Sequence, residues 1–314
     1  MIKRINIKTR CVKNYNLLLF KPIMYMAMIF LISCVHPVSA QTGPKTDTGP
    51  LHVILSPVRI EQGCVARITV TCPATVESVS YTIHDTKAVL SMDEPGMYSG
   101  FVPVAMEQKP GLTSIAITLH NTDKTTTMLN TSLEIIDKDF SVQHLTIDES
   151  KNTLSKTDLD RHNRERALII KMFSKSQPHK LWVNSFTQPL QGRLSTPFGV
   201  KRFINKQPRN SHSGVDIAAP SGTPVKAAAA GLVALTGEHF FAGKSVYIDH
   251  GQNIFSMYFH LDSIEVHDGQ SVADDDIIGL VGATGRATGP HLHWGMRIQD
   301  TPIDPFSLLT LFEK

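Results

Sequence analysis

Between residues 51 and 137, short runs of alternating apolar and polar positions recur, each halted by turn residues. They are His52–Leu55, Val65–Thr71, Val79–His84, Tyr98–Val104, Leu112–His120 and Thr126–Ile136. A period of two puts every second side chain on one face, so each run predicts a half-buried strand, and short strands at this spacing build a β-sandwich. The rhythm then changes. Ser155-Lys156-Thr157-Asp158 has the form of a capping box with Asp at its third position, and it opens a run containing Leu159, Leu168, Ile169, Met172 and Phe173. This predicts a helix that ends before Pro178, its apolar stripe packing between domains. Strand-rich sequence resumes at Leu181-Trp182-Val183. The chain therefore reads as mainly β: a β-sandwich over 51–137, a short helical connector over 138–180, and a C-terminal antiparallel β-sheet domain over 181–314.

The first forty residues carry Lys3, Arg4, Lys8, Arg10, Lys13 and Lys21, no acid, an apolar run from Ile23 to Val35, and Val38-Ser39-Ala40 before Gln41. That pattern is a secretory signal with a small-residue cleavage site, and it predicts export to the periplasm or cell envelope. The apolar run is shorter than the roughly 20 residues of a spanning helix, so no transmembrane span is expected in the mature form. Leu31-Ile32-Ser33-Cys34 offers an alternative, a lipobox that would tether the chain through Cys34. Without the signal, the net charge of +3 becomes 25 basic against 28 acidic residues, or −3. Nucleic acid is accordingly not an implied partner. If Cys64 to Cys72 form one strand, their ends lie roughly 26 Å apart at about 3.3 Å per residue, far beyond disulfide reach.

Chemistry concentrates in the last third. His212-Ser213-Gly214-Val215-Asp216, Tyr258-Phe259-His260-Leu261 and Gly289-Pro290-His291-Leu292-His293-Trp294 follow in order. Imidazole nitrogen and carboxylate oxygen are zinc donors, and a catalytic zinc keeps one of its four positions open. Strand alternation turns His291 and His293 to one cleft and Leu292 and Trp294 to the core. The same parity pairs Tyr258 with His260 on one face. Asp216 is expected at the cleft rim, where a loop runs into a strand. The glycine-rich stretch Gly282 to Pro290 reads as a shaped loop walling a groove that a peptide backbone can approach closely. His250, in Asp249-His250-Gly251, reads as structural, at a hairpin turn, and His239 and His267 fall outside the motifs.

From about Phe186 to Pro305, at these residues, the chain resembles the lysostaphin-type zinc peptidases of the LytM or M23 family, whose pattern is H-x(3)-D, an intervening His and a late H-x-H. The resemblance implies Zn2+ held by His212, Asp216 and His293, with His260 and His291 flanking the water at the open position. It also implies hydrolysis of peptide cross-links in bacterial peptidoglycan, whose stem peptides are then the partner. His291 is the candidate general base, and His260 the candidate for stabilising the oxyanion or protonating the leaving amine; the two roles can be exchanged. By analogy with two-domain enzymes of diderm bacteria, the bond is a D,D cross-link. Residues 51–137 resemble the immunoglobulin-like domain that precedes the peptidase in some members. It acts as a spacer, a wall-binding module or a groove cover; in the last case modest interdomain contacts would let it open, and cutting before Leu181 would raise activity. Two alternatives stand beside the enzyme: a noncatalytic LytM-like activator of another hydrolase, a class that typically lacks the ligands, and a secreted peptidase acting on other proteins. A regulatory protein partner is compatible with each.

Overall fold

A computed structural model of the chain describes residues 50–146 and 154–313. The predicted signal over 1–40 and Cys34 lie outside the described residues. Within them, no helix is long and apolar enough to cross a membrane.

The N-terminal β region is two sheets face to face. One has the order His52–Ser56, Val65–Thr71, Met97–Pro103, Ser91–Glu94; the other runs Arg59–Glu61, Thr126–Ile136, Gly111–Asn121, Val76–Ile83, Thr86–Val89. Alternation decides what they bury: Thr113, Ile115, Ile117 and Leu119 of one long strand point inward against Ile68, Val70, Val79, Tyr81, Leu133 and Ile135. Arg59–Glu61, Thr86–Val89 and Ser91–Glu94 are three to four residues long and sit at edges, too short to show a period in the sequence. Cys64 and Cys72 bracket the Val65–Thr71 strand, and both thiols are free.

The C-terminal half is built on a ten-stranded sheet. Its central path is Arg193–Thr196, Gly214–Ala218, His291–Ile298, Ile254–Ile264, Gly243–Asp249, Gly231–His239 and Ser271–Val272. Every pairing along it is antiparallel. One face buries Val215, Ile217, Val246, Ile248, Tyr258, Leu292 and Trp294. On the other face, the helix Lys156–Phe173 lays Ile169, Met172 and Phe173 against Leu235, Tyr247 and Phe255. Ser155 caps that helix by accepting from the Asp158 amide. The stripe expected to pack between domains packs instead on the C-terminal sheet. Leu159 and Leu168 belong to no contact face and remain 46% and 49% exposed.

The two β regions share apolar contacts. Val65, Phe101 and Phe140 join Trp182, Phe186, Phe198 and Leu190 in the same apolar cluster as the core of the C-terminal half. The Phe140 ring fills the space above Gly199, where a Cβ would fall 2.1 Å from it. A cut before Leu181 would strip this cover and leave Trp182, Phe186 and Phe198 facing water.

His250 is structural, at the turn between Gly243–Asp249 and Ile254–Ile264. Its ring is fully buried, with Nδ1 donating to the Ala230 carbonyl (2.8 Å) and Nε2 on Ser256 Oγ (2.7 Å). Burial pushes its pKa from 6.5 down to about 4. Between those values the unfolded chain binds the extra proton, so stability rises with pH across that window and the loss is complete only below about 4. The shift corresponds to about 3 kcal/mol at 1.36 kcal/mol per unit. Denaturant unfolding from pH 7 to 4 should show that loss, and His250→Gln should remove about that share of the pH dependence. Identical pH slopes for the two proteins would refute the assignment.

Candidate metal centre

Register creates the cluster. In the antiparallel pair of Gly214–Ala218 with His291–Ile298, Asp216 stands directly opposite His293. Such neighbours share a face with their Cβ atoms about 5 Å apart. His212 lies in the loop just before this strand, anchored by its amide to Val200 O (3.0 Å) and by its carbonyl to the Gly199 amide (2.8 Å). The three side chains converge. His212 Nε2, His293 Nδ1 and Asp216 Oδ1 are mutually 2.9 Å apart. Asp216 is buried at 7% exposure, not at a rim.

These donors suit zinc. His212 Nδ1 is 2.8 Å from the Pro197 carbonyl, and a carbonyl can only accept, so Nδ1 carries a hydrogen and Nε2 is the atom left to face a metal. Burial alone would raise the Asp216 carboxyl, but close contact with His212 and His293 outweighs it and holds the group well below the usual carboxylate range. Burial likewise pushes His293 down, towards the neutral form a ligand needs. Two imidazoles and one carboxylate could supply a three-ligand set that leaves room for a fourth.

His291 and His260 stand beside this cluster with ring centroids 4.8 Å apart. His291 Nδ1 donates to Gly289 O (2.8 Å), and its Nε2 lies 3.9 Å from Asp216 Oδ1. His260 Nδ1 donates to Thr284 O (2.9 Å). Burial drives the His260 pKa down to about 4, reinforced by His291 and His293. His260 does not share a face with Tyr258, however. Tyr258 pairs with Trp294 and points into the core, its hydroxyl accepting from the Ala228 amide. The register slips between Lys244 and Val246 opposite this strand, and His260 sits in the left-handed region at φ 64°. This bulge inserts one residue, so Phe259 and His260 both reach the site while Leu261 returns to the core.

Four supporting groups escaped the sequence reading. Phe259 stacks flat on His293, at 5.1 Å and 7°. Thr284, Gly289 and Pro197 act through their carbonyls, which carry no residue-type signal at all. The Gly282–Pro290 loop lies against His260 and His291 through the Thr284 and Gly289 carbonyls, and is held by the Arg286 amide on Phe241 O (3.0 Å) and by close packing of Gly285 on Gly243. His239 is buried on Ser245 Oγ, and His267 bonds locally to Asp268 O.

Residues 210–305 match the family described as Peptidase family M23, a span containing all five of these residues. The DD-carboxypeptidase/endopeptidase Mpg of Neisseria meningitidis is 40% identical over 116 residues, 37% of this chain and 27% of Mpg. The peptidoglycan DD-endopeptidase ShyA of Vibrio cholerae is 41% identical over 113 residues, 36% of this chain and 26% of ShyA. The chain thus spans about a quarter of the length of these curated relatives. A solved Pseudomonas aeruginosa chain assigned to peptidase M23 aligns over 79% of this chain and 94% of its own, with 30% identity and a TM-score of 0.60.

Removing any one donor should empty the centre. His212→Ala, Asp216→Ala and His293→Ala are each expected to purify with far less than one zinc per chain by elemental analysis, while keeping the wild-type far-UV spectrum. A His293→Ala protein with stoichiometric zinc would remove that residue from the ligand set.

Proposed function

Because the chain belongs to peptidase family M23, we propose that it is an exported zinc endopeptidase that hydrolyses D,D peptide cross-links of bacterial peptidoglycan. The observation that carries this reading is the meeting of His212, Asp216 and His293 at one point, with two further imidazoles at their side. Held by His212, Asp216 and His293, zinc would supply a Lewis acid able to polarise a carbonyl and acidify a water.

The remaining work falls to the chain. Both flanking imidazoles give their Nδ1 hydrogen to a carbonyl, so each offers a lone pair at Nε2. His291 takes the proton of the attacking water. Its imidazolium forms 3.9 Å from the Asp216 carboxylate, whereas burial beside two other histidines disfavours a charged His260. His291 then returns the proton to the amine as the C–N bond breaks. His260, held neutral, accepts a hydrogen bond from the water and orients it; in this tautomer it has no N–H to give an oxyanion. The signal over residues 1–40 would carry the enzyme to its substrate outside the cytoplasm, and the resemblance of the two-domain form supports the D,D bond.

Two measurements test this. Digestion of defined cross-linked muropeptides, with products identified by mass, should release monomers; chelation should abolish the reaction and added zinc restore it. His260→Ala and His291→Ala should keep their zinc and lose about 10²- to 10⁴-fold in kcat. If His291→Ala lost the metal while His293→Ala retained it, the roles along the H-x-H strand would be reversed.

A further inference from the structure

Arg202 stands in the Lys201–Ile204 strand, beside the metal centre. Its Nη2 is 3.9 Å from Asp216 Oδ2, while Oδ1 of the same carboxylate is engaged by His212 and His293. A guanidinium and a carboxylate in full contact close to about 2.7–2.9 Å, often through two parallel bonds. This pair is looser, so the fork of donors is not spent on Asp216. Moreover, Arg202 Nε is buried with no hydrogen-bond partner, and a buried N–H without an acceptor is costly. The side chain is nonetheless 34% exposed, so an incoming group can reach it.

Neighbouring cations are engaged elsewhere. Lys201 Nζ lies 5.9 Å over the Phe140 ring, Arg286 is 5.5 Å over Phe241, and Lys244 Nζ donates to Asp262 O at 2.6 Å. Arg202 thus combines closeness to the metal ligands with an unfilled donor. A planar fork of N–H groups matches a carboxylate.

We infer that Arg202 binds a carboxylate of the substrate and so selects which peptide bond enters the cleft, an inference that rests on the function proposed above. In a D,D cross-link the amine to be released sits on a carbon that also bears a free carboxylate. A C-terminal D-alanine has the same arrangement. Inside a glycine bridge, that position is an amide. A cation fixed beside Asp216 rewards the first two and not the third, and it also offsets the repulsion between Asp216 and the arriving carboxylate.

The test gives the zinc-loaded protein and its Arg202→Gln and Arg202→Lys variants two muropeptide dimers that differ in one group. One carries the free carboxylate beside the scissile nitrogen, the other its amide. The wild type should favour the acid by roughly 10- to 100-fold in kcat/KM, mainly through KM, the size of a charge-assisted hydrogen bond. Arg202→Gln should abolish that preference with zinc content unchanged, and Arg202→Lys, a point charge without the fork, should recover part of it. Calorimetry with the released amine product, as acid and as amide, reads the same preference without turnover. Equal treatment of acid and amide by the wild type overturns the inference. So does an Arg202→Gln protein that keeps the preference, or one that loses zinc, since Arg202 would then merely prop Asp216. If the zinc-loaded wild type cleaves neither dimer, the proposed function falls, and the calorimetric difference alone decides whether Arg202 binds a carboxylate.

Discussion

The pairing of Asp216 with His293 across two antiparallel strands is the constraint on which the rest of the site depends. It places a carboxylate and an imidazole side by side in a buried position, where either one left without a partner is costly. Each relieves the other, and His212 completes the arrangement from the adjoining loop. Shifting the register by one residue would carry Asp216 and His293 to the core face and bring Trp294 and Leu292 to the cleft. The apolar face therefore guards the polar one: Val215, Ile217, Leu292 and Trp294 are all essentially inaccessible, and their burial holds the register.

The cluster of His212, Asp216 and His293 is supported from outside the sheet as well. Phe140, at the exit of the N-terminal β region, packs on Gly199, whose amide holds the His212 carbonyl. Lys201 in turn donates its amide to Ser141 O at 2.9 Å, and Val142–Leu145 pairs in parallel with Lys201–Ile204. The strand that carries Arg202 is thus shared with the segment leaving the sandwich. This couples the N-terminal region to the loop carrying His212 by direct contact.

The helix plays a comparable part on the opposite wall. Glu165 accepts from the Phe240 amide at 2.8 Å, Arg161 donates to Glu238 O at 2.9 Å, and the His162 ring meets Phe241 edge-on at 4.8 Å. Phe241 O then receives the Arg286 amide of the glycine-rich loop, and that loop supplies the Thr284 carbonyl that sets the His260 tautomer. Helix, turn, loop and imidazole form one chain of contacts. The face carrying the helix is the same one carrying His293, since Phe255, Met257 and Phe259 alternate in step with the residues opposite them.

What the sequence by itself determined was whatever depends on local periodicity and side-chain type. Alternation located the long sandwich strands, put Leu292 and Trp294 in the core, and gave His291 and His293 a common face; the capping residues located the helix. The donor chemistry of histidine and aspartate indicated a metal. Tertiary structure alone decided the rest, because the rest depends on which backbones become neighbours. The bulge at His260 is forced by pairing with Gly243–Asp249 and breaks the period that had tied it to Tyr258. The helix stripe found the sheet instead of a domain boundary because Leu235, Tyr247 and Phe255 offered it an apolar surface. Carbonyls that fix tautomers look alike in any sequence, and Arg202 is one arginine among many until folding brings it 3.9 Å from Asp216.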